Sequence, residues 1–228
     1  KDALYTVLQY SKLVDAKVNP IVQVMRKTIS NGSVTSGFQR TALIARGGMI
    51  STSEGEVHID NINLEEDACK DISQTATEKI YRLDRLGIPL IEIGTAPEIY
   101  SPQQCLEAAK KIGLLLRSLP GVKRGLGTIR QDVNVSIAGG NRIEIKGAQE
   151  LKMIPTLIEL EIKRQAELLK IKNELSKLKL APFKIFDLSS LLKNSTSKMI
   201  SKAIQNNGKI LALKLNGFGG FIGRELQP

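Results

Sequence analysis

The chain has 228 residues, 42% hydrophobic and 25% charged, with mean hydropathy near zero. That excludes a disordered chain and allows one large domain, or one domain plus part of another. No stretch approaches the about 20 consecutive apolar residues of a membrane span, and Lys1 to Tyr10 lacks the apolar core of a signal peptide.

In chain order, residues 2–14 predict a short helix. From Pro20 to about Leu64 the text reads as β. Ile21, Val22, Val24 and Met25 form one run, and Thr41 to Ala45 form another. Gly47-Gly48 and Glu54-Gly55 are turn signals. In Glu56-Val57-His58-Ile59-Asp60 apolar and polar residues alternate, as in a half-buried strand. Ser101 suits a helix N-cap and Pro102 the first helical position. Cys105, Ala108, Ala109, Ile112, Leu115, Leu116 and Leu119 then recur at helical spacing up to Pro120-Gly121. A β-hairpin follows over 128–137 and 142–146. Ile129, Val133, Val135 and Ile137 alternate with Thr128, Arg130, Asp132, Asn134 and Ser136. A two-residue loop at Gly139-Gly140 would set apolar against polar faces, whereas a three- or five-residue loop keeps them matched. A helix is predicted from Pro155 to Leu180, with a stripe of Leu157, Leu160, Leu168, Ile171, Leu175 and Leu178. Beyond Pro182 come a strand near Phe183–Leu188, a helix near Ser197–Asn206 and a strand Ile210–Leu215. The fold class is therefore α+β.

The net charge of +10 favours an anionic partner, nucleic acid first. The charge is uneven. Residues 54–67 hold Glu54, Glu56, Asp60, Glu65, Glu66 and Asp67 without a Lys or Arg, while 163–179 are mainly basic. Cys69 and Cys105 lie in unrelated contexts, which excludes a disulfide framework or zinc spacing and suggests a reduced, cytoplasmic setting. The sequence lacks an initiator Met and stops just after a glycine-rich stretch, so it reads as a piece of something longer.

Several segments carry possible chemistry. Glu65, Glu66 and Asp67 cluster at a strand end, where they suit either a capping or surface cluster or hard oxygen ligation of Mg²⁺. Glu92 interrupts the apolar run Pro89-Leu90-Ile91-Glu92-Ile93. It either faces water on an edge strand or is paired or metal-bound. Asp132 and Glu144 share the hairpin's polar face with Arg130 and Lys146. Cross-strand ion pairing is the commoner outcome there, and phosphate binding is the alternative. His58 is the only histidine and sits on a strand's polar phase, so it reads as exposed rather than catalytic. The glycines around Lys123 and Arg124 read as a flexible turn, with a phosphate cradle as the alternative. There is no Walker A motif.

Four segments, taken together, resemble the glutamyl-tRNA amidotransferase B/E subunit family. They are Ser33 to Thr41, Leu64 to Ala68, Pro89 to Ile93, and the pair Gly127–Asn134 with Arg142–Lys146. They occur in the family's order, and together with the linking text they cover about residues 20–170. Thr128-Ile129-Arg130-Gln131-Asp132, and the Gly-Ala-Gln-Glu that follows Lys146, resemble the E branch rather than the B branch.

The resemblance implies a mostly antiparallel sheet core with flanking helices over 1–181. Residues 182–228 would begin an inserted α+β domain like that of bacterial-type aspartyl-tRNA synthetase. It implies ATP and Mg²⁺ as cofactors and Glu-tRNA(Gln) as substrate. It also implies an asparaginase-like amidase, the D subunit, as ammonia source in an assembly of two D and two E subunits. Glu65, Glu66, Glu92 and Glu144 become metal candidates, and Arg130 and Lys146 become phosphate contacts. Glu66, Glu92, Arg130, Asp132 and Lys146 form the expected catalytic set, with Glu66, Glu92 and Glu144 expected to converge on one point. The family's N-terminal Gly-Leu-Glu-Ile-His segment and its C-terminal tRNA-binding region are not in this sequence. The competing expectations are a non-catalytic tRNA-binding scaffold of the same family and a plain RNA-binding module.

Overall fold

The computed structural model describes residues 1–178 and 182–226. In chain order the elements are α1 (Asp2–Leu13), β1 (Lys17–Val18), β2 (Val24–Thr28), β3 (Phe38–Arg46), β4 (Gly48–Thr52) and β5 (Gly55–Glu66). Then come β6 (Lys70–Gln74), β7 (Lys79–Arg82), β8 (Pro89–Thr95), α2 (Pro102–Ser118), β9 (Val133–Val135) and β10 (Ile143–Ile145). Last are α3 (Ile154–Ser176), β11 (Lys184–Asp187), α4 (Lys198–Gln205) and β12 (Leu211–Lys214). Two compact units result, one of residues 1–133 with 144–158 and one of 134–143 with the chain from 159 on.

The first unit is built on a six-stranded sheet formed by β1, β2, β3, β4, β5 and β8, with every pairing in it antiparallel. The α+β expectation with an antiparallel sheet holds. β5 is the central strand, pairing with β3, β4 and β8. One face of the sheet is covered. Val7, Tyr10 and Val14 from α1 and its end, and Ala108, Leu116 and Leu119 from α2 and its end, pack with Ile44, Ile50, Val57, Ile59 and Ile62 in one buried cluster. Leu64, Ile91 and Ile93 extend it. α2 starts as its sequence predicts: the Ser101 hydroxyl accepts from the Gln104 amide at 3.0 Å, with Pro102 in the first turn. Gln104, whose polarity suits the helix's outer side, is buried instead. Its side chain donates to the Thr52 hydroxyl and accepts from the Tyr100 amide.

β5 is not a regular strand. Val57 and Ile59 face the core, but so do Ile62 and Leu64, so the side-chain phase changes between them. The ladders show why. Against β8, the register moves from Ile59↔Thr95 to Asn61↔Gly94, so β5 carries one extra residue there. Against β3 the shift lies between Leu43 and Ala45. A bulge of this kind reverses which face the following residues occupy. Asn61, Asn63 and Glu65 are thereby placed on the sheet's open face, together with His58 and Asp60.

β6 and β7, which no clear alternation announces in the sequence, pair as a separate ribbon. β9 and β10 form the expected hairpin ribbon, though it is shorter than the alternation suggests. Val133 and Val135 are buried while Asn134 and Glu144 are exposed. The turn closes with Gly140 N–H donating to the Ile137 carbonyl at 2.9 Å, and Gly139 takes a φ of 78°.

In the second unit α3 departs from its predicted stripe. Leu160 and Leu168 are exposed, whereas Glu161 and Gln165 are buried. The reason is hydrogen bonding. Gln165 donates to the Val135 carbonyl at 3.1 Å and to Glu161 at 2.9 Å, and accepts from the Ile137 amide at 3.2 Å. Unpaired backbone groups are costly to bury, so an amide outcompetes leucine there. Expected helix residues 179 and 180, and the expected boundary at 181, lie outside the described residues. β11 and β12 pair from Lys184↔Lys214 to Asp187↔Leu211, and α4 lies between them in sequence, as predicted. Arg224 is bound by Glu174 and Glu167.

Ile62 is fully buried where the phase change delivers it to the core. Ile62→Ala is expected to lower unfolding free energy by about 2–5 kcal/mol. Urea denaturation followed by circular dichroism checks this, and a loss under about 1 kcal/mol contradicts the packing described.

Candidate active site on the open sheet face

The sheet face turned away from α1 and α2 is polar at its centre. Register puts Thr41 of β3 opposite Glu65 of β5, Asn63 opposite Glu92 of β8, and Asn61 opposite Gly94. The Thr41 hydroxyl donates to Glu65 Oε1 at 2.8 Å, and the Asn63 amide donates to Glu92 Oε2 at 2.8 Å. At Gly94 the space is tight: a Cβ there would stand 2.7 Å from the Asn61 amide nitrogen, so the Asn61 side chain would have to move.

Glu65 and Glu92 sense each other. Burial holds the Glu65 carboxyl above its ordinary range and the charge of Glu92 raises it further, while the Thr41 hydrogen bond and Lys27 act the other way. Two carboxylates on one face are relieved by a cation, and hard oxygen donors suit Mg²⁺. The Asn63 amide also lies 3.4 Å from the Asn61 amide oxygen.

The other predicted residues lie elsewhere. Glu66, one position beyond Glu65, points to the opposite face, where Arg40 holds it with a 2.8 Å hydrogen bond and a 2.5 Å ion pair. Asp67 follows, with its side chain only 11% exposed, bound by Arg130 at 2.9 Å and approached by Arg85 at 3.8 Å. Its N–H and C=O pair with Ile88 and Gly87. Glu66, Asp67, Arg40, Ser36, Thr35 and Gly87 line a small hollow of about 180 Å³. Lys146 bridges Glu144 at 2.9 Å and Asp132 at 3.3 Å, and the Gly147 amide donates to Asp132 at 3.0 Å. These carboxylates hold the Lys146 ammonium above its ordinary value, Glu144 most strongly.

The expectation that Glu66, Glu92 and Glu144 meet at one point is therefore corrected. Strand alternation separates Glu66 from Glu65 and Glu92, and Lys146 engages Glu144. Among the described residues, no group of three or more His, Cys, Asp or Glu is arranged to hold a metal ion. The structure gathers a smaller set, Glu65 with Glu92, and a second, Glu66 and Asp67 with Arg40, Arg85 and Arg130. Sequence reasoning misses Asn61, Asn63, Arg40 and Arg85 as members of these sets, and it gives Asp67 no role beyond the acidic cluster. The signal for the asparagines is the shift of apolar phase from Val57 and Ile59 to Ile62 and Leu64.

His58 is exposed, as expected, and its Nδ1 lies 2.7 Å from Glu98. It borders a broad concavity of about 900 Å³ on the same open face, lined also by Arg46, Asp60, Asn61, Asn63 and Glu98.

Residues 1–210 match the family described as the GatB/GatE catalytic domain. Over 100% of its length the chain is 53% identical to the E subunit of glutamyl-tRNA(Gln) amidotransferase from Pyrococcus abyssi, covering 37% of that protein. It is 50% identical to the corresponding protein of Methanococcus maripaludis and 47% to that of Haloarcula marismortui, covering 36% and 37% of them. The chain thus spans little more than a third of the length of these curated relatives.

The Glu98 hydrogen bond and charge raise the His58 pKa above 6.5, with smaller help from Glu56 and Asp60. A raised folded-state pKa means that the pair stabilises the fold below about pH 6.5 and that this contribution is lost as pH rises through the folded value. Because His58 is the chain's single histidine, one imidazole proton resonance reports it. NMR titration is expected to give a midpoint above 6.5, falling toward it in Glu98→Gln. A midpoint unmoved by that substitution contradicts the pair.

Proposed function

We propose that this chain, which belongs to the GatB/GatE catalytic domain family, is the ATP-using part of an enzyme that converts Glu-tRNA(Gln) to Gln-tRNA(Gln). The observation that carries the proposal is the Glu65–Glu92 pair, held open on one sheet face in a chain half identical to amidotransferase subunits.

The chemistry explains why such a site is needed. An ionised carboxylate is a poor acyl donor to ammonia. The side-chain carboxylate of tRNA-bound glutamate attacks the γ-phosphorus of ATP, the bond to the bridging oxygen breaks, and ADP leaves. Ammonia then attacks the acyl carbon of the resulting γ-glutamyl phosphate. Inorganic phosphate departs, and the nitrogen loses a proton to leave the amide. The ammonia comes from a partner amidase, the asparaginase-like D subunit, in a cytoplasmic assembly of two D and two E subunits. Residues from 182 on begin the inserted domain that resembles part of aspartyl-tRNA synthetase.

Phosphoryl transfer asks mainly for positioning and charge compensation. Glu65 and Glu92 would hold Mg²⁺, and one or two carboxylates suffice because Mg²⁺ completes its shell with phosphates and water. When bound, the ion would neutralise charge on the β- and γ-phosphates. Arg130 and Lys146 meet transferring phosphate, each exchanging a carboxylate partner, Asp67 or Asp132 and Glu144, for a phosphate oxygen. Asp132 also fixes the Gly147 amide. Glu66 keeps Arg40 in place beside the small hollow.

The scaffold alternative makes a different prediction. In the full-length protein with its partner, Glu65→Gln and Glu92→Gln should each cut glutamyl-dependent ATP hydrolysis by about 10²–10³-fold, the size of losing one preorganised electrostatic group. Affinity for tRNA should change little. Hydrolysis that survives both substitutions overturns the catalytic reading and leaves the scaffold.

A further inference from the structure

We infer that Thr41 and Asn63 are positioning residues that fix Glu65 and Glu92 through one carboxylate oxygen each, leaving the other oxygen of each for a shared divalent cation. The inference rests on the proposed function and names two residues outside the expected site set.

The geometry is specific. Thr41 and Glu65 are directly opposed across β3 and β5, and the hydroxyl reaches Oε1 at 2.8 Å. Asn63 and Glu92 are directly opposed across β5 and β8, and the amide reaches Oε2 at 2.8 Å. Glu65 Oε2 and Glu92 Oε1 have no hydrogen-bond partner among the described residues. Asn63 is itself held, its amide lying 3.4 Å from Asn61 Oδ1, and Asn61 occupies the space left by Gly94.

A glutamate on an open face has several rotatable bonds and explores many positions. A hydrogen bond to one oxygen restricts that freedom and leaves the second oxygen without a partner among the described residues. Thr41 and Asn63 act only through these carboxylates. They would neither touch the ion nor carry charge. Outer-shell donors of this kind typically contribute about 10- to 100-fold to metal affinity.

The test uses the full-length protein with its partner, and Mn²⁺ as probe, titrated by electron paramagnetic resonance in the presence of ADP. Thr41→Val keeps the shape and removes the donor, Thr41→Ser keeps the donor, and Asn63→Leu removes the amide. Thr41→Val and Asn63→Leu should each weaken Mn²⁺ binding about 10-fold or more. Thr41→Ser should stay within about twofold, with thermal melting of all three near wild type. If Thr41→Val does not fold, Asn63→Leu decides alone. Unchanged Mn²⁺ affinity in Thr41→Val and Asn63→Leu, while Glu65→Gln and Glu92→Gln lose it, overturns the positioning role and leaves the proposed site standing. Unchanged affinity in the glutamate variants as well overturns the cation site and the positioning role with it.

Discussion

One extra residue in β5 decides what the sheet can do. Between Ile59 and Asn61 the strand gains a residue relative to β8, and its inside and outside exchange. Val57 and Ile59 pack inward before that point, and Ile62 and Leu64 after it. Without the shift, regular alternation would turn Asn61, Asn63 and Glu65 into the apolar cluster, where unpaired polar groups are heavily penalised. With it, the core keeps its isoleucines and the open face receives two asparagines and a glutamate. Gly94 on β8 completes the arrangement, since a Cβ there would displace the Asn61 amide. A packing requirement and a site requirement are thus met by one irregularity, as often happens where bulges lie beside functional groups.

The acidic residues are then sorted by pairing. Glu66 and Asp67 sit among three guanidinium groups, Glu144 and Asp132 share one ammonium, and Glu98 takes the imidazole. Among the described residues, Glu65 and Glu92 receive only neutral donors. That difference, rather than the mere density of acid in residues 54–67, distinguishes them. A carboxylate already matched by arginine has little to offer a cation, whereas one held by a hydroxyl or an amide keeps its charge uncompensated.

Much of the fold is readable from residue order. Helix α2 announces itself through Ser101-Pro102, the β11–α4–β12 series through alternating apolar segments, and the hairpin through its glycines. The errors share one physical origin. Period and polarity describe which side of an element is apolar, not which backbone groups need partners. Polarity alone puts Gln165 and Gln104 outside, yet each is buried to satisfy hydrogen bonds from elsewhere in the chain. The candidate site is half legible. Family likeness brings forward Glu65 and Glu92, but likeness also joins Glu66 to them, and strand alternation alone argues against that. The phase change in β5 is present in the text as Val57, Ile59, then Ile62, Leu64, and it marks Asn61 and Asn63.

The proposed mechanism needs a divalent ion on the open face between β5 and β8. Iron-directed backbone cleavage of the full-length protein, with Fe²⁺ in place of Mg²⁺ and ascorbate as reductant, locates the ion without reference to activity. Fragments cut near residues 61–66 and 90–94 are expected. Cuts confined to residues 130–147, with those two strands intact, would contradict it.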